Sequence, residues 1–382
     1  MNPLFFSFVS ITIGILFFIL IPGFGAVGVR SAWRKFRMQI VAASLYPTIS
    51  SSVAGTTTKQ CYFRFIGLLE SIQGEGLLWL SDGQITVGVE VADIRVFLLS
   101  SFSLEEEPQI LSWNHIYSLT AGTRVFVAGR FHLRGANRML KSDSEQPLTV
   151  VIFDVDDKLL MRTSIGSGRG RNEYWNQFTS LSLLAGSVIL IILAFFASRL
   201  SDMRLPVIVS MTVAASPVLP LLPPGIGFFL LYRFLWKRAR LLRTERDLFR
   251  LPLRYFKNKI QDENSDGMLP DGEHYVMRKE SEISICDWSS PTFLSSSIIK
   301  TSDLKDANSY VFGTIKDSDK FILSSPNDPL ADLLKVKGNP AEVSQKASLL
   351  AARSAVWAAL ALAAAVSVNF GILFILFALV IK

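Results

Sequence analysis

Asp262-Glu263-Asn264-Ser265-Asp266-Gly267, closing at Glu273, has the spacing of a calcium loop. Asp262, Asn264, Asp266 and Glu273 would supply oxygen ligands, Gly267 the sharp turn and Leu269 the apolar position. The flanks argue against it. Gln261 stands where an apolar residue usually closes the entering helix, and Pro270 and Gly272 oppose an exiting one. The expectation is a polar linker ending in a Pro-Asp-Gly turn, with no metal. Gly166-Ser167-Gly168-Arg169-Gly170 lacks the phosphate-loop spacing and reads as a flexible tether. Asp154, Asp156 and Asp157 read as a solvated turn, because no acid–base partner accompanies them. His115, His132 and His274 are scattered, and Cys61 and Cys286 fit no metal spacing. No Ser–His–Asp or Cys–His arrangement stands out. The reading is a non-catalytic chain with no cofactor.

The elements around these residues are set by long uncharged runs. Half of the 382 residues are apolar, 28 of them Phe. Residues 1–29 carry no charge and read as a first transmembrane helix, broken at Pro22-Gly23. Arg30, Arg34, Lys35 and Arg37 open a basic juxtamembrane linker, 30–61. Residues 176–198 read as a second span, after a tether at 161–175. Leu205 to Tyr232 is uncharged but holds Pro217, Pro220, Pro223 and Pro224. It reads as one Pro-broken span over 205–235, with a re-entrant hairpin as the alternative. Ser354 to Ile381 is the fourth span, and its Ala-rich first half suits close packing on another helix, compatible with a homo-oligomer. No acidic or basic side chain lies inside the uncharged runs, which speaks against an ion or proton path; the Pro-broken third run keeps a transport reading open.

Between the runs lie two segments with β character. Residues 62–160 hold about five strands with tight turns, including a hairpin at Ser81-Asp82-Gly83, and suggest a small barrel. Gln109 to Leu119 reads as a short helix or loop crossing one end of it. An acidic linker, 261–272, leads to a second module over 273–353. Its strands read at Tyr275 to Arg278, Ile283 to Ile285, Phe293 to Ile299, Tyr310 to Ile315 and Phe321 to Leu323. Pro329 to Val336 and Ala341 to Arg353 read as helical. The fold class is thus an α+β integral membrane protein with four transmembrane helices and two small β-rich modules. The order span, basic flank, β segment, span occurs twice. Val125-Phe126-Val127-Ala128-Gly129 matches Tyr310-Val311-Phe312-Gly313, so the halves are a candidate internal repeat.

Gly67, the Ser81-Asp82-Gly83 turn and Thr120 to Gly129 resemble an OB-type small barrel. Phe312-Gly313 and Phe321 to Ser325, followed by a helix and a span, resemble the GIDE-type module. The resemblance implies modules held beside a membrane, as in NfeD-like architectures of bacterial proteins. The ubiquitin-ligase relatives of GIDE proteins add a Cys-rich zinc module, which two cysteines cannot supply.

The formal charge of +7 sits beside the spans. Residues 62–160 carry 13 acidic and 8 basic side chains, and 262–332 carry 14 and 6. That balance argues against nucleic acid as a partner. Residues 236–260 read as a basic amphipathic helix on the bilayer surface. Lys237, Arg238, Arg240, Arg243, Arg246, Arg250 and Arg254 are its candidate contacts to anionic lipid headgroups. The basic clusters place both modules on the cytoplasmic face of a plasma membrane. The expected role is a scaffold that binds membrane-protein partners or lipid. A membrane-tethered nucleic-acid barrel, and a transporter or hydrolase with an unrecognised site, are the alternatives.

Overall fold

The computed structural model describes residues 3–49, 62–74, 76–100, 109–116, 118–134, 137–144, 146–197, 204–256, 265–285, 290–306, 308–317 and 322–380. The chain divides into two compact units, a helical one and a β-rich one, and three of the four boundaries fall inside helices.

The helical unit comprises residues 1–35, 172–241 and 349–382. Helix α1 (Pro3–Ile15) passes through a π-helical turn, Leu16–Leu20, into α2 (Ile21–Ala43). The expected break at Pro22-Gly23 does not form, and the first part of the expected 30–61 linker, as far as Ala43, is helix. The physical reason lies in the neighbouring segment. Pro22 has no N–H for the carbonyl of Phe18, four residues back. The Tyr174 hydroxyl donates to that carbonyl instead. Ser182 Oγ donates to Phe17 O at 2.5 Å and Asn176 Nδ2 to Pro22 O at 2.9 Å. The freed acceptors are satisfied, so the helix continues.

Among the described residues, three helices are long and apolar enough to cross a membrane: Leu4–Ala43, Thr179–Phe196 and Pro340–Leu376. They display large apolar side chains outward, including Phe8, Phe24, Leu181 and Ile191, as a lipid-facing surface does. The Pro-rich third run is not among them. It forms α5 (Arg204–Ala215), after α3 (Leu160–Gly166) and α4 (Thr179–Ala197), and then a 3-10 segment, Ser216–Leu221. Twelve residues reach about 18 Å, short of the roughly 30 Å hydrocarbon core. α5 runs parallel to α1: Ser7 Oγ meets Pro206 O, and Gly14 faces Ala214, whose carbonyl a Cβ there would approach to 2.5 Å. The chain resumes as α6 (Ile226–Arg250). The last run and the expected helix before it are one element, α7 (Pro340–Val380).

The β-rich unit comprises residues 36–171 and 242–348. Its first module has β1 (Tyr62–Gln73), β2 (Leu77–Ser81), β3 (Thr86–Glu90), β4 (Arg95–Leu99), β5 (Gln109–Ser112), β6 (Arg124–Arg134), β7 (Asn137–Lys141) and β8 (Thr149–Phe153). The cycle β1-β2-β3-β7-β6, with β6 returning to β1, closes a five-stranded barrel consistent with an OB-like one. Its β3–β7 closure is parallel and every other pair in it antiparallel. Inward residues such as Phe65, Leu78, Leu80, Val87, Val89, Val125 and Val127 fill it. The hairpin turn forms as read: Asp82 Oδ1 accepts the N–H of Gln84 at 2.8 Å and of Ile85 at 2.9 Å. Strand β8, buried at all five residues, lies between β6 and β4, which extends the sheet to β5. Gln109 to Ser112 is thus an edge strand, followed by a 3-10 turn, Trp113–His115.

The second module has β9 (Ser265–Met268), β10 (His274–Lys279), β11 (Ser284–Ile285), β12 (Thr292–Leu294), β13 (Ser309–Asp317), β14 (Ile322–Ser324) and β15 (Leu334–Lys337). The strands read at Tyr275, Ile283, Phe293, Tyr310 and Phe321 onward correspond to β10 to β14 in part, with Phe321 outside the described residues. Leu334 to Val336, within the stretch expected as helix, belongs to strand β15 because it pairs with β12 and β13. The expected acidic linker contains β9, drawn into strand form by pairing with β10.

The two modules share a wiring pattern. β1 and β10 lie antiparallel to β6 and β13. β3 and β11 run parallel to β7 and β14. β4 and β12 run parallel to β8 and β15. The central strands, β6 and β13, each meet β8 or β15 along the first half of one edge and β7 or β14 along the second. The switch falls at Gly129 and Gly313. A Cβ on Gly129 would come within 2.3 Å of Leu148 Cδ1 and 2.8 Å of Lys141 O. One on Gly313 would come within 2.7 Å of Leu333 Cδ1 and 3.0 Å of Ser324 O. In both cases the leucine immediately precedes the last strand, and the carbonyl ends the strand before it.

Candidate functional site

The seven basic residues singled out by sequence do not share one face. Residues 226–250 form a single helix, and its amphipathy is used inside the protein. Leu242, Glu245 and Phe249, at helical spacing, are buried in the β-rich unit, as is Phe256 beyond the helix. The Phe256 ring packs against Tyr275 and Phe312. Lys237, Arg238 and Arg250 are exposed; Arg240, Arg243, Arg246 and Arg254 are half-buried.

The half-buried ones have work within the fold. Arg240 pairs with Glu173 and lies over the Trp236 ring at 4.7 Å. Arg246 Nε donates to Asp247 at 2.8 Å, and Arg169 pairs with the same carboxylate. Burial pushes the Asp247 carboxyl up, and the two guanidiniums outweigh it, holding it below its ordinary value. Arg169 is therefore no part of a free tether. The residues just before it, α3, are a buried helix with Leu160, Met161 and Ile165 inside. The glycine-rich segment is consequently the exit of a packed element.

Arg254 ties the end of α6 to the second module. Its Nη1 donates to Leu251 O and its Nη2 to Leu330 O, each at 2.9 Å, and its guanidinium lies 4.3 Å from the Tyr255 ring centre. Leu330 N–H in turn donates to Asp328 Oδ1 at 2.9 Å. The other oxygen of Asp328 takes Arg64 Nη2 at 2.6 Å, and both side chains are 1% exposed. Arg64 Nε donates to Tyr46 O at 2.7 Å. A buried charge pair thus ties β1 of the first module to the loop before β15 of the second, and Arg254 ties the end of α6 to that loop. Sequence reasoning missed it, because Arg64 sits in a strand that reads as apolar and Asp328 in a loop. An arginine flanked by Phe63 and Phe65 was the available signal.

Beside this network Lys158, Arg162, Arg254 and Asp332 line a crevice of about 30 Å³. That is room for a water molecule or two. Burial pushes the Asp332 carboxyl up and Arg162 down from their ordinary values.

The calcium spacing does not assemble among the described residues. Asp266 lies in β9 and accepts Arg278 Nη2 at 2.7 Å, and Glu273 accepts the N–H of Asn327 at 3.2 Å. Asp262 and Asn264 lie outside the described residues, as do Cys61 and Cys286. Asp156 is exposed and Asp157 half-buried, both facing Arg124.

One further polar residue went unread. Asn369, in the uncharged last run, is 2% exposed. Its Oδ1 accepts Gly225 N–H at 3.1 Å and its Nδ2 donates to Leu222 O at 2.6 Å. It satisfies the backbone where the Pro-rich run is interrupted before α6.

Comparison of the chain with models of protein families, with curated proteins and with solved structures returns no match.

Proposed function

We propose that this chain is a non-catalytic scaffold of a plasma (inner) membrane, built on four spans and presenting two β modules at the cytoplasmic face. There it binds membrane-protein partners. The modules are copies of one unit of GIDE-like or NfeD-like kind, and the shared strand wiring with its paired glycines supports that reading. The observation that carries the function is the fusion of the two modules through Arg64 and Asp328. A pair that costs desolvation yet bridges the modules suits a platform that must keep one shape. The third run crosses as one kinked span; its parallel course beside α1 and the Asn369 contacts support this over a re-entrant hairpin. Lys237 and Arg238, exposed just past the uncharged start of α6, meet anionic headgroups, with Arg250 beyond them. The other four contribute through their partners inside the fold.

The test is topology. Exposed Ser144 and Ser302 are changed to Cys, one at a time, with Cys61 and Cys286 replaced by Ser. In intact cells neither reacts with an impermeant maleimide; after permeabilisation both do. Labelling of one alone breaks the common face, and labelling of both in intact cells inverts the orientation.

A further inference from the structure

A groove of about 380 Å³ opens in the second module, within the range of about 300–1,000 Å³ typical of small-ligand sites. Phe293, Ile298, Leu304 and Val343 give it an apolar wall. Lys300 and Lys337, both exposed, bring two positive charges. Among the described residues no carboxylate lines it.

The loop on one side, Ser295 to Ile299, is held from beneath. Glu245 of α6, 8% exposed, accepts Ser296 Oγ at 2.5 Å, Ser297 N–H at 2.8 Å and Ser297 Oγ at 2.6 Å. Ser296 Oγ in turn accepts Ile299 N–H at 2.9 Å and Ile298 N–H at 3.2 Å. The carboxylate is thus capped by donors and turned to the loop. The loop is preorganised, which lowers the ordering cost of binding. Ser295, exposed, adds a hydroxyl to the groove.

We infer that this groove binds a phosphate monoester attached to an apolar body. Two ammonium groups match the roughly −1.5 to −2 charge of such a group at neutral pH, which a single carboxylate does not. The three acceptor oxygens suit lysine donors and a serine hydroxyl, and the apolar wall takes the body. The phosphate could belong to a lipid such as phosphatidic acid or to a soluble ester. The inference stands apart from the headgroup role of α6, since none of those seven residues lines the groove.

The probe is hexyl phosphate, titrated calorimetrically into the full chain in phosphatidylcholine nanodiscs, with empty discs subtracted. Saturable binding at one per chain is expected. Hexanol and inorganic phosphate each bind at least tenfold more weakly. Lys300→Gln/Lys337→Gln weakens hexyl phosphate at least tenfold at an unchanged melting midpoint, and Ser295→Trp, which fills the groove, abolishes it. Equal binding of hexanol or of inorganic phosphate overturns the proposal, as does full affinity in either variant. Discs containing one-tenth phosphatidic acid separate the sources: competition with hexyl phosphate assigns a lipid, and its absence assigns a soluble ester.

Discussion

The two β modules are wired alike, yet among the described residues only the first closes into a barrel. The difference is β2. In the first module a hairpin follows β1 directly, and β1, twelve residues long, pairs β6 with its first half and β2 with its second. In the second module β10 has six residues and leads through a 3-10 turn, Glu280–Glu282, to the two-residue β11. Its outer edge is taken by β9, which precedes it in the chain. The short β11 meets β14, and among the described residues no strand joins it to β10. Closure therefore needs a first strand long enough to carry two partners in succession. The second module protects its open edge with a strand from its own approach segment.

The comparison also picks out single residues. With Gly129 matched to Gly313, the pairing registers put Arg64 of β1 opposite Ala128 and Met277 of β10 opposite Phe312, at equivalent positions. Met277 is fully buried and needs no partner; Arg64 reaches Asp328 in the other module. Arg64→Met makes the first module resemble the second and strands a buried carboxylate. The expected cost is about 3–5 kcal/mol, the largest effect here, read as the midpoint of unfolding in detergent. Adding Asp328→Asn, which keeps an acceptor for Leu330 N–H, returns at least half of it. By contrast Arg124→Ala, which breaks a pair 41% and 78% exposed, costs under about 1 kcal/mol. A cost for Arg64→Met no larger than for Arg124→Ala would break the claim that the modules are fused there.

The glycines sharpen the match. Ala at either position forces the neighbouring leucine aside and presses on a carbonyl, for about 1–3 kcal/mol each. The approach is closer at Gly129, so Gly129→Ala should lower the unfolding midpoint more than Gly313→Ala. If only one of the two matters, the positions are not equivalent.

The modules also end differently: α3 is seven residues, whereas α7 has 41. The short exit is held by Arg169 on Asp247. Because the folded pKa of Asp247 is lowered, its stabilisation is fully present above the ordinary aspartate value of about 3.9. It is lost as pH falls through the lowered value. Asp247→Asn should cost about 1–2 kcal/mol at neutral pH and flatten the acid end of the stability profile. Parallel profiles for the two proteins would assign the acid sensitivity elsewhere.

Much of this architecture was legible. Alternation and turn chemistry marked the barrel strands, and Val125 to Gly129 against Tyr310 to Gly313 pointed to the glycines where both central strands change partner. Local pattern failed where a distant group changed the local rule. Pro22 reads as a helix break until Tyr174, Ser182 and Asn176 are seen to satisfy the carbonyls around it. Leu334 to Val336 reads as helix until β12 and β13 flank it. The basic stretch of α6 reads as a surface helix because periodicity reports an apolar face without saying what covers it.

By itself, the sequence determined the uncharged runs, the basic flanks and two β segments, since these follow from transfer free energy and side-chain period along a local stretch. Tertiary structure alone decided that Arg64 finds Asp328 across 264 residues, that Asn369 satisfies the interrupted third run, and that Glu245 fixes the serine loop. A buried polar group is tolerated only if its partner is in place, and the partner's position is set by the packed fold.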